Sequence, residues 1–253
     1  MYAPERHQQI LAAARAEGRV DVNDLARTLA VTPETVRRDL TVLERHGLLR
    51  RVHGGAIPVE RLGFEPGVAE RESHLAAEKE RIAKLALDQL PDGGSVVLDA
   101  GTTTLRLAEL IPTDREISVV THSLPIAMLL ASRPNVSLHL LGGTVRGRTL
   151  AAVGDWTLRA LEDIYADVAF IGTNGLTVSQ GLTTPDLTEA NVKRALVRSA
   201  RRTVVLADHT KVGRSDFVRV APIEAVDVLI TDSGIDRELI EELTAAGVEV
   251  QCA

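Results

Sequence analysis

The first 57 residues carry apolar positions at the three- and four-residue spacing of amphipathic helices. A first helix is predicted over residues 4–17, where Gly18 ends the pattern. A second begins after Asp21, whose carboxylate can cap a helix start. Because a third periodic segment follows after only a tight turn, the order helix, helix, turn, helix predicts a helix-turn-helix.

The third periodic segment, residues 31–47, has two unlike faces. Pro33 suits the first helical position, and the apolar residues that follow share one stripe, whereas Arg37 and Arg38 point away from it. Taken alone, this pattern favours an amphipathic surface helix with a solvated arginine pair. Its neighbours change the interpretation, because two short β-prone runs around residues 53–55 predict a small hairpin, or wing. The glycines of that turn would let the backbone approach a phosphate closely.

A different pattern begins near residue 75, where an amphipathic helix is followed by continuous apolar runs that alternate with helical stretches. Strands this apolar are typical of a parallel sheet that helices cover on both faces. Residues 58–74 are charged, hold two Pro and two Gly and lack periodicity, so we predict a linker between domains at 1–57 and 75–253. The predicted strands are 95–98, 117–120, 136–141, 167–171, 203–207, 226–230 and 248–250.

The composition is that of a soluble globular protein, with 45% hydrophobic and 25% charged residues among 253. No apolar run reaches membrane-spanning length, and the N-terminus lacks the apolar core of a signal peptide. The single cysteine, Cys252, excludes an intrachain disulfide. We therefore expect a cytoplasmic protein with no membrane partner.

The net charge of −6 is unevenly divided along the chain. Residues 1–57 hold nine arginines and seven acidic residues, a net charge of +2, which leaves −8 for the remainder. This asymmetry fits DNA contact that is confined to the N-terminal end.

The run from Val31 to Ala56 resembles the signature of the DeoR family of bacterial transcriptional regulators, a winged helix-turn-helix. Family members often carry Ser where this chain has Thr32, a change that keeps the helix cap. The likeness rests on Thr35 to Leu40, on Leu43, Glu44 and Gly47, and on His53 to Ala56.

Side-chain chemistry suggests roles within this DNA-binding unit. Arg37 and Arg38 can each pair bidentately with guanine or bind phosphate, and the sequence does not say which does which. Asp39 is expected to hold an arginine or the preceding turn, because phosphate would repel it. For His53, a phosphate or minor-groove contact and a purely supporting role in the turn both stay open. The predicted DNA-binding residues are Thr32, Thr35, Arg37, Arg38, Thr41, Arg51, His53 and Gly54.

Ligands of open α/β sheets bind outside the carboxyl ends of the strands, so the loops that follow the predicted strands hold the candidate effector residues. The loop 99–104, DAGTTT, places a glycine and three hydroxyls at a helix start, which suits an anion. The alternative, in which Thr103 or Thr104 only caps its own helix, stays open. Ser123 is equally interpretable as a cap, and His122 as a ligand contact or a satisfied loop residue.

Charged residues follow the later strands. A glycine pair beside Arg146 combines close backbone approach with a counter-charge. Glu189 and Lys193 lie four residues apart on a predicted helix, and their plain interpretation is a surface ion pair. Lys193 and Lys211 both fall near strand ends. The predicted effector-binding residues are Asp99, Gly101, Thr102, Thr103, Thr104, His122, Ser123, Gly142, Gly143, Arg146, Gly172, Asn174, Gly175, Glu189, Lys193, Asp208 and Lys211.

The second domain also resembles the C-terminal domain of the DeoR family, within the superfamily of ribose-5-phosphate-isomerase-like folds. The resemblance implies that this domain senses a phosphorylated sugar. Many members carry Asp where this chain has Asn174, a difference that removes a candidate general base and argues against catalysis. The sequence GTNGL with DAGTTT resembles the fructose-repressor branch, whose effector is fructose 1-phosphate. The matches are Glu78-Lys79, Ile82-Ala83, residues 99–104, Gly142-Gly143, residues 181–184, Glu189, Lys193, Asp208, Lys211 and Gly213.

We therefore expect an α/β chain, with an N-terminal winged helix-turn-helix followed by a ribose-5-phosphate-isomerase-like α/β domain with a mostly parallel sheet. The expected function is repression of a sugar operon, such as one for fructose uptake or catabolism, under control of a phosphorylated sugar. The expected partners are double-stranded operator DNA and further copies of the chain, as a dimer or tetramer; no catalytic residue, metal or cofactor is predicted. The alternative is a sugar-phosphate isomerase or deaminase fused to a DNA-binding module, with Asp99, Glu189 and Asp208 as its carboxylates.

Overall fold

The computed structural model describes residues 3–45, 48–52, 54–58 and 67–253, and the chain divides into two compact units, Met1–Phe64 and Glu65–Ala253. The predicted linker at 58–74 differs from what is observed at both of its ends. Pro58 closes a strand of the first unit, and Val68–Ser73 forms a helix of the second. That helix is tied to its own unit, because the Val68 N–H donates to the Arg148 carbonyl at 3.1 Å.

The first unit contains the predicted helix-turn-helix and wing. Ile10, Leu25, Val36, Leu40 and Leu43 from its three helices are all buried in one core. The predicted end of the third helix at Gly47 lies outside the described residues. The elements are α1 (Ala3–Glu17), β1 (Val20–Asp21), α2 (Val22–Thr28), α3 (Pro33–Arg45), β2 (Leu49–Val52) and β3 (Gly55–Pro58).

The wing is a three-stranded sheet rather than a simple hairpin. β3 pairs antiparallel with β2 on one side and with the short β1 on the other. A Cβ at position 55 would lie 1.9 Å from the Val20 carbonyl oxygen, so only glycine allows β1 to approach. Gly55 was expected to let the backbone approach a phosphate, but in the structure it allows two strands of the sheet to approach each other. Gly54 has a φ of +79° and remains exposed at the turn.

The second unit alternates strands and helices as the apolar runs predicted. Its first half comprises α4 (Val68–Ser73), α5 (Ala76–Ala86), β4 (Ser95–Leu98), α6 (Thr102–Leu110), β5 (Ile117–Thr121), α7 (Leu124–Leu130), β6 (Val136–Leu140), β7 (Thr144–Arg146), β8 (Ala151–Val153) and α8 (Asp155–Leu161). Its second half comprises β9 (Ala166–Gly172), β10 (Gly175–Thr177), β11 (Gly181–Thr184), α9 (Leu187–Arg198), β12 (Ala200–Leu206), β13 (Val218–Ala221), β14 (Val228–Thr231), α10 (Arg237–Ala245) and β15 (Glu249–Cys252).

Each of the seven predicted apolar runs overlaps a strand of one seven-stranded sheet. Its order is β15-β14-β12-β9-β4-β5-β6, and all of its neighbouring strands are parallel. The runs are continuous because both faces of the sheet are buried. In β4, for example, Val97 faces one hydrophobic core, while Val96 and Leu98 face the other.

Two small antiparallel sheets lie outside this layer and were not predicted. β7 pairs with β8, and β10, β11 and β13 form the second sheet. Their strands are three or four residues long, too short for a period-two pattern to stand out.

The order of the large sheet creates one topological switch point. The chain builds β4, β5 and β6 outward in one direction, then returns to place β9 on the other side of β4. The carboxyl ends of β4 and β9 therefore meet where the chain direction reverses, which is the usual ligand position in open α/β sheets. Asp99 follows β4, and Gly172 ends β9.

Candidate functional site

The start of α3 is fixed by two threonines that the sequence placed among the DNA-binding residues. The Thr35 N–H donates to Thr32 Oγ1 at 3.2 Å, and the two hydroxyl oxygens lie 2.9 Å apart. Thr32 is thus a helix cap, as its residue type predicted. Both side chains remain at the outer end of the helix, with Thr32 exposed and Thr35 half-buried.

The outward face of α3 presents two arginines. Arg38 is exposed, and the Arg37 side chain is 51% exposed and pairs with Glu34 at 3.4 Å. A solvent-exposed pair of this kind contributes about 0–1 kcal/mol, so it would not hold Arg37 away from a phosphate or a base. The Thr41 hydroxyl, one turn further on, donates to the Arg37 carbonyl at 2.9 Å.

The wing is joined to this face of α3. Arg51 of β2 donates from Nη1 to Thr41 Oγ1 at 3.3 Å, and its backbone N–H donates to Glu44 Oε1 at 2.9 Å. The contact places Arg51 on the same surface as Arg37 and Thr41. His53 lies outside the described residues.

Asp39 has the structural role that its charge predicted. It is buried, its Oδ2 lies 2.5 Å from Arg6 Nε, and its Oδ1 lies 2.9 Å from His7 Nε2. Burial would raise the pKa of Asp39, but the hydrogen bonds from Arg6 and His7 outweigh it and lower the pKa. These contacts fix α1 against α3, the helix that the sequence predicted to contact DNA.

At the switch point of the second unit, Asp99 is fully buried and surrounded by donors. The Gly172 N–H donates to Asp99 Oδ2 at 2.9 Å, and the Lys193 ammonium pairs with the same oxygen. Burial opposes ionisation, yet the charge of Lys193 and the hydrogen bond with His122 lower the pKa of Asp99 to about 2. Asp99 is therefore an anion that binds three elements together.

His122 is buried in the same cluster and has contacts on both ring nitrogens. Its Nε2 lies 3.0 Å from Asp99 Oδ1 and 3.1 Å from the backbone nitrogen of Ala100. Its Nδ1 lies 2.9 Å from the Ala152 carbonyl oxygen. Of the two interpretations left open by the sequence, the satisfied loop residue is the one that these contacts support.

Glu189 and Lys193 do not form the surface ion pair expected from their spacing. Both are buried in α9, where Glu189 lies 2.8 Å from Arg146 Nη1 and Lys193 pairs with Asp99. The four-residue spacing puts both on the helix face that packs against the sheet, where each finds a partner from another element. Asp186, the cap of α9, is the second partner of Arg146 at 3.3 Å.

The three threonine hydroxyls of the loop 99–104 differ in whether they form hydrogen bonds within the protein. Thr104 is buried and donates to the Asp99 carbonyl at 2.7 Å and the Gly101 carbonyl at 3.0 Å, so it stabilises the loop. Thr102 and Thr103 begin α6, and neither hydroxyl has a hydrogen-bond partner within the described ranges. Ser123 accepts from the Ile126 N–H at 3.4 Å as the cap of α7, which supports its structural interpretation.

The remaining predicted loop residues shape the sheet edge. The Gly142 carbonyl accepts from the Thr157 hydroxyl at 2.8 Å, and a Cβ at Gly143 would lie 2.6 Å from the Val153 carbonyl oxygen. Asn174 accepts from the Thr184 hydroxyl at 3.1 Å, and a Cβ at Gly175 would lie 2.6 Å from the Arg214 carbonyl oxygen. These four positions are used in loop and sheet packing.

Asp208 and Lys211 lie in a cluster of positive charges that the sequence did not reveal in full. Arg71 of α4 and Lys79 of α5 join them, and each contributes to the electrostatic environment of Lys211 or Lys79. Burial lowers the pKa of Lys79 to about 8; Asp208 opposes this shift, and Lys211 and Arg71 add to it. Burial likewise lowers the pKa of Lys211, with a further contribution from Arg214.

The cationic cluster consists of Arg71, Lys79, Lys211 and Arg214 around Asp208, and Arg214 also lies 4.0 Å from the carboxylate of Asp216. Two observations show that Arg71 and Lys79 have no carboxylate partner within the described residues. Nε and Nη2 of Arg71 are buried and have no hydrogen-bond partner among the residues that the structure describes. Within the same described residues, the partners of Lys79 Nζ are two backbone carbonyls, those of Arg71 and of His74, the latter at 2.6 Å. Neutral carbonyls satisfy its protons without balancing its charge.

The sequence held a partial signal for these missed residues. Lys79 lies on the inner stripe of α5 with Ile82, Ala83 and Ala86, and a lysine at an apolar position is unusual unless it is paired. Arg71 carried no such signal, because it lies within the segment interpreted as a linker.

Over the described part of the chain, no three His, Cys, Asp or Glu side chains are grouped to hold a metal ion. No helix of that part is long and apolar enough to span a membrane.

An arginine-bearing helix beside a wing, in one chain with a cationic sheet edge, is the organisation of a ligand-controlled transcriptional regulator. Comparison with known proteins agrees with this class. Residues 6–61 match the DeoR-like helix-turn-helix domain, and residues 75–233 match the DeoR C-terminal sensor domain. The chain belongs to the DeoR family of transcriptional regulators.

The similarity to its relatives extends over almost the whole chain. The HTH-type transcriptional regulator GlpR of Haloferax volcanii is 39% identical over 99% of this chain and 98% of its own length. The regulator FruR of Bacillus subtilis is 37% identical over 96% and 94%. The glycerol-3-phosphate regulon repressor of Escherichia coli is 29% identical over 99% of both chains. These relatives confirm the prediction of a regulator rather than an enzyme.

Among solved structures, ribose 5-phosphate isomerase A of Methanocaldococcus jannaschii resembles the chain with a TM-score of 0.39. The two are 18% identical, and the similarity covers 53% of each chain.

Proposed function

We propose that this protein is a repressor that binds operator DNA through α3 and the wing, and that a phosphorylated sugar bound at the cationic cluster controls it. The proposal includes a homo-oligomer, because winged helix-turn-helix proteins commonly read paired half-sites. Among candidate effectors, fructose 1-phosphate is the first to test, given the resemblance of GTNGL and DAGTTT to the fructose-repressor branch.

The observation that carries the effector proposal is the excess of positive charge at the cationic cluster. The Asp208 carboxylate accepts from the Thr210 N–H of its own turn at 3.1 Å, so it does not serve its cationic neighbours alone. The second carboxyl, Asp216, lies 4.0 Å from Arg214, and burial raises its pKa. Two carboxyls thus face four cations. A phosphate dianion would restore the favourable environment that Lys79 and Lys211 lack.

The start of α6 provides neutral donors next to these charges. Arg106, one turn after Thr102 and Thr103, is among the groups that lower the pKa of Lys79, which puts α6 beside the cluster. The first-turn N–H groups of a helix have no intrahelical partner, and the helix dipole favours an anion there. A sugar phosphate could place its phosphate against the cations of the cluster and its hydroxyls against those of Thr102 and Thr103.

Isothermal titration calorimetry with fructose 1-phosphate, glycerol 3-phosphate, unphosphorylated fructose and inorganic phosphate tests the effector class. We expect a phosphorylated sugar to bind and fructose to fail. Lys211→Gln should weaken binding at least about tenfold, as loss of one charge-assisted contact does. Lys84→Gln is the matched control, because Lys84 is exposed on α5 and pairs only with Glu80.

Fluorescence anisotropy with the DNA upstream of the gene for this protein tests the regulatory link. Addition of the effector should shift operator affinity, and a hundredfold shift corresponds to about 2.7 kcal/mol of coupling. Tight binding of unphosphorylated fructose, or a Lys211→Gln protein with unchanged affinity for every phosphate, would refute the assignment of the site.

A further inference from the structure

The two outer strands of the seven-stranded sheet are protected to different degrees. On one side, β15 carries Glu249, which pairs with Arg202 at 3.6 Å, and Gln251, which contacts Gln89 at 3.4 Å. On the other side, β6 has the sequence VSLHL, and no strand of the described residues pairs with its outer edge. Exposed edges are usually blunted by charged residues or proline, and β6 contains neither.

The helix beside β6 continues this uncharged surface. α7 has the sequence LPIAMLL, without a charged residue, and the Met128 side chain is 80% exposed. α7 packs on β6 and runs opposite to it, as connecting helices in parallel sheets do. The carboxyl end of β6 at Leu140, which is 52% exposed, therefore lies at the same end as the first turns of α7.

The loop between β7 and β8 adds a third apolar group to this surface. The Leu150 carbonyl accepts from the Leu124 N–H at 3.0 Å, which fixes the loop to the first turn of α7. Leu150 has a φ of +54°, a conformation that residues with a side chain rarely adopt, and it is 36% exposed. This conformation closes the β7–β8 loop, where the Leu150 N–H donates to the Arg146 carbonyl at 2.7 Å, and it leaves the apolar side chain partly at the surface.

We call this surface the α7–β6 face: Leu124, Met128, Leu140, Leu150 and the outer edge of β6. Residues 58–253 carry a net charge of −8, so two copies repel over much of their surface, and an uncharged face permits them to meet. A regulator that reads two half-sites also needs a self-complementary surface. We propose that the α7–β6 face binds the same face of a second copy of this chain.

The hydrogen-bonding directions in β6 specify how the two copies pair. The Leu141 N–H donates inward to the Thr121 carbonyl at 2.8 Å, so alternation turns the N–H and C=O groups of Leu138 and Leu140 outward. Two antiparallel β6 strands related by a two-fold axis at Leu138 satisfy these groups. Leu138 exchanges both hydrogen bonds with Leu138 of the second copy, and the Leu140 N–H donates to the Val136 carbonyl of the second copy.

Analytical ultracentrifugation of the full chain tests the face. Met128→Lys and Leu140→Lys should each lower the assembly mass by half or more, because each adds two like charges, one from each copy, to an apolar interface. Tyr165→Lys is the matched control, since Tyr165 is 67% exposed at the start of β9, at the opposite end of the sheet. A monomeric natural sequence at micromolar concentration, or an unchanged mass in both face variants, overturns the proposal.

Disulfide cross-linking tests the register without adding charge. In a Cys252→Ser background, which removes the single cysteine, Leu138→Cys should form covalent dimers on mild oxidation. Tyr165→Cys in the same background should stay monomeric on denaturing gels. If a folded, associating Leu138→Cys protein forms no covalent dimer, the β6 pairing is overturned. The cross-linking experiment remains decisive even if the lysine variants fail to fold.

Discussion

A rise in pH should weaken phosphate binding at the cationic cluster, because Lys79 must carry its proton to attract a dianion. The pKa of Lys79 lies at about 8 in the ligand-free protein. At about pH 9, only about one Lys79 in eleven remains protonated, so affinity should fall about tenfold, equivalent to about 1.4 kcal/mol. Burial lowers the pKa of Lys211 as well, so any proton that Lys211 loses adds to this decline.

Proton linkage gives the direction in which pH changes the phosphate affinity. The free protein has a depressed lysine pKa, and a bound dianion raises it, so binding takes up protons over the window from about pH 7 to about pH 9. The ligand does not titrate there, since the second pKa of a phosphate monoester is about 6. The pKa of His74 is lowered by burial from its ordinary value near 6.5, so this imidazole is neutral throughout the window.

The assay is calorimetry at constant ionic strength in buffers with different ionisation enthalpies, which reports proton uptake directly. Lys79→Gln should bind more weakly at neutral pH and show a flatter profile, whereas Lys84→Gln should keep the natural slope. A profile that is flat for the natural sequence, or equally steep after Lys79→Gln, would show that Lys79 does not face the ligand.

Three other perturbations separate the two units. Arg38→Ala should weaken operator binding and reduce its salt dependence without changing effector affinity, while Arg27→Ala, exposed on α2, should change anisotropy titrations little. Lys193→Met should destabilise the second unit by about 3–5 kcal/mol in urea titrations, because it leaves Asp99 buried without its main counter-charge. Adding Asp99→Asn to this variant should recover part of the lost stability. Gly55→Ala should reduce DNA binding and the melting temperature of the first unit only, since its Cβ would collide with the Val20 carbonyl; a shift in the sensor transition would contradict this.

The sequence predicted the parallel sheet well because burial on both faces leaves a strong local signal. β4, for example, begins and ends at the predicted residues, with Val96 and Val97 buried on opposite faces. α2 and α3 were predictable for a similar reason, since Asp21 and Thr32 cap them locally. β1 was not predictable, because it exists only through its pairing with β3 and the space left by Gly55.

Ion-pair partners were the least predictable feature of the site. Spacing placed Glu189 and Lys193 on one face of a helix, but it could not show that this face packs against the sheet. Their partners, Arg146 at the end of β7 and Asp99 in the loop after β4, precede α9 by many residues. Arg71 and Lys211 are 140 residues apart in the chain and influence each other electrostatically only in the folded unit, so no local pattern could connect them.

The pairing of the carboxylates agrees with the proposal that this sheet edge binds a sugar phosphate without transforming it. Three carboxylates were candidates for a general base, and each has another partner. Asp99 pairs with Lys193, Glu189 pairs with Arg146, and Asp208 accepts hydrogen bonds from Thr210. A base works best with a pKa near the operating pH, whereas the pKa of Asp99 is about 2. The cations of the cluster, by contrast, lack sufficient compensating charge, so this edge is suited to hold an anion and poorly suited to move a proton.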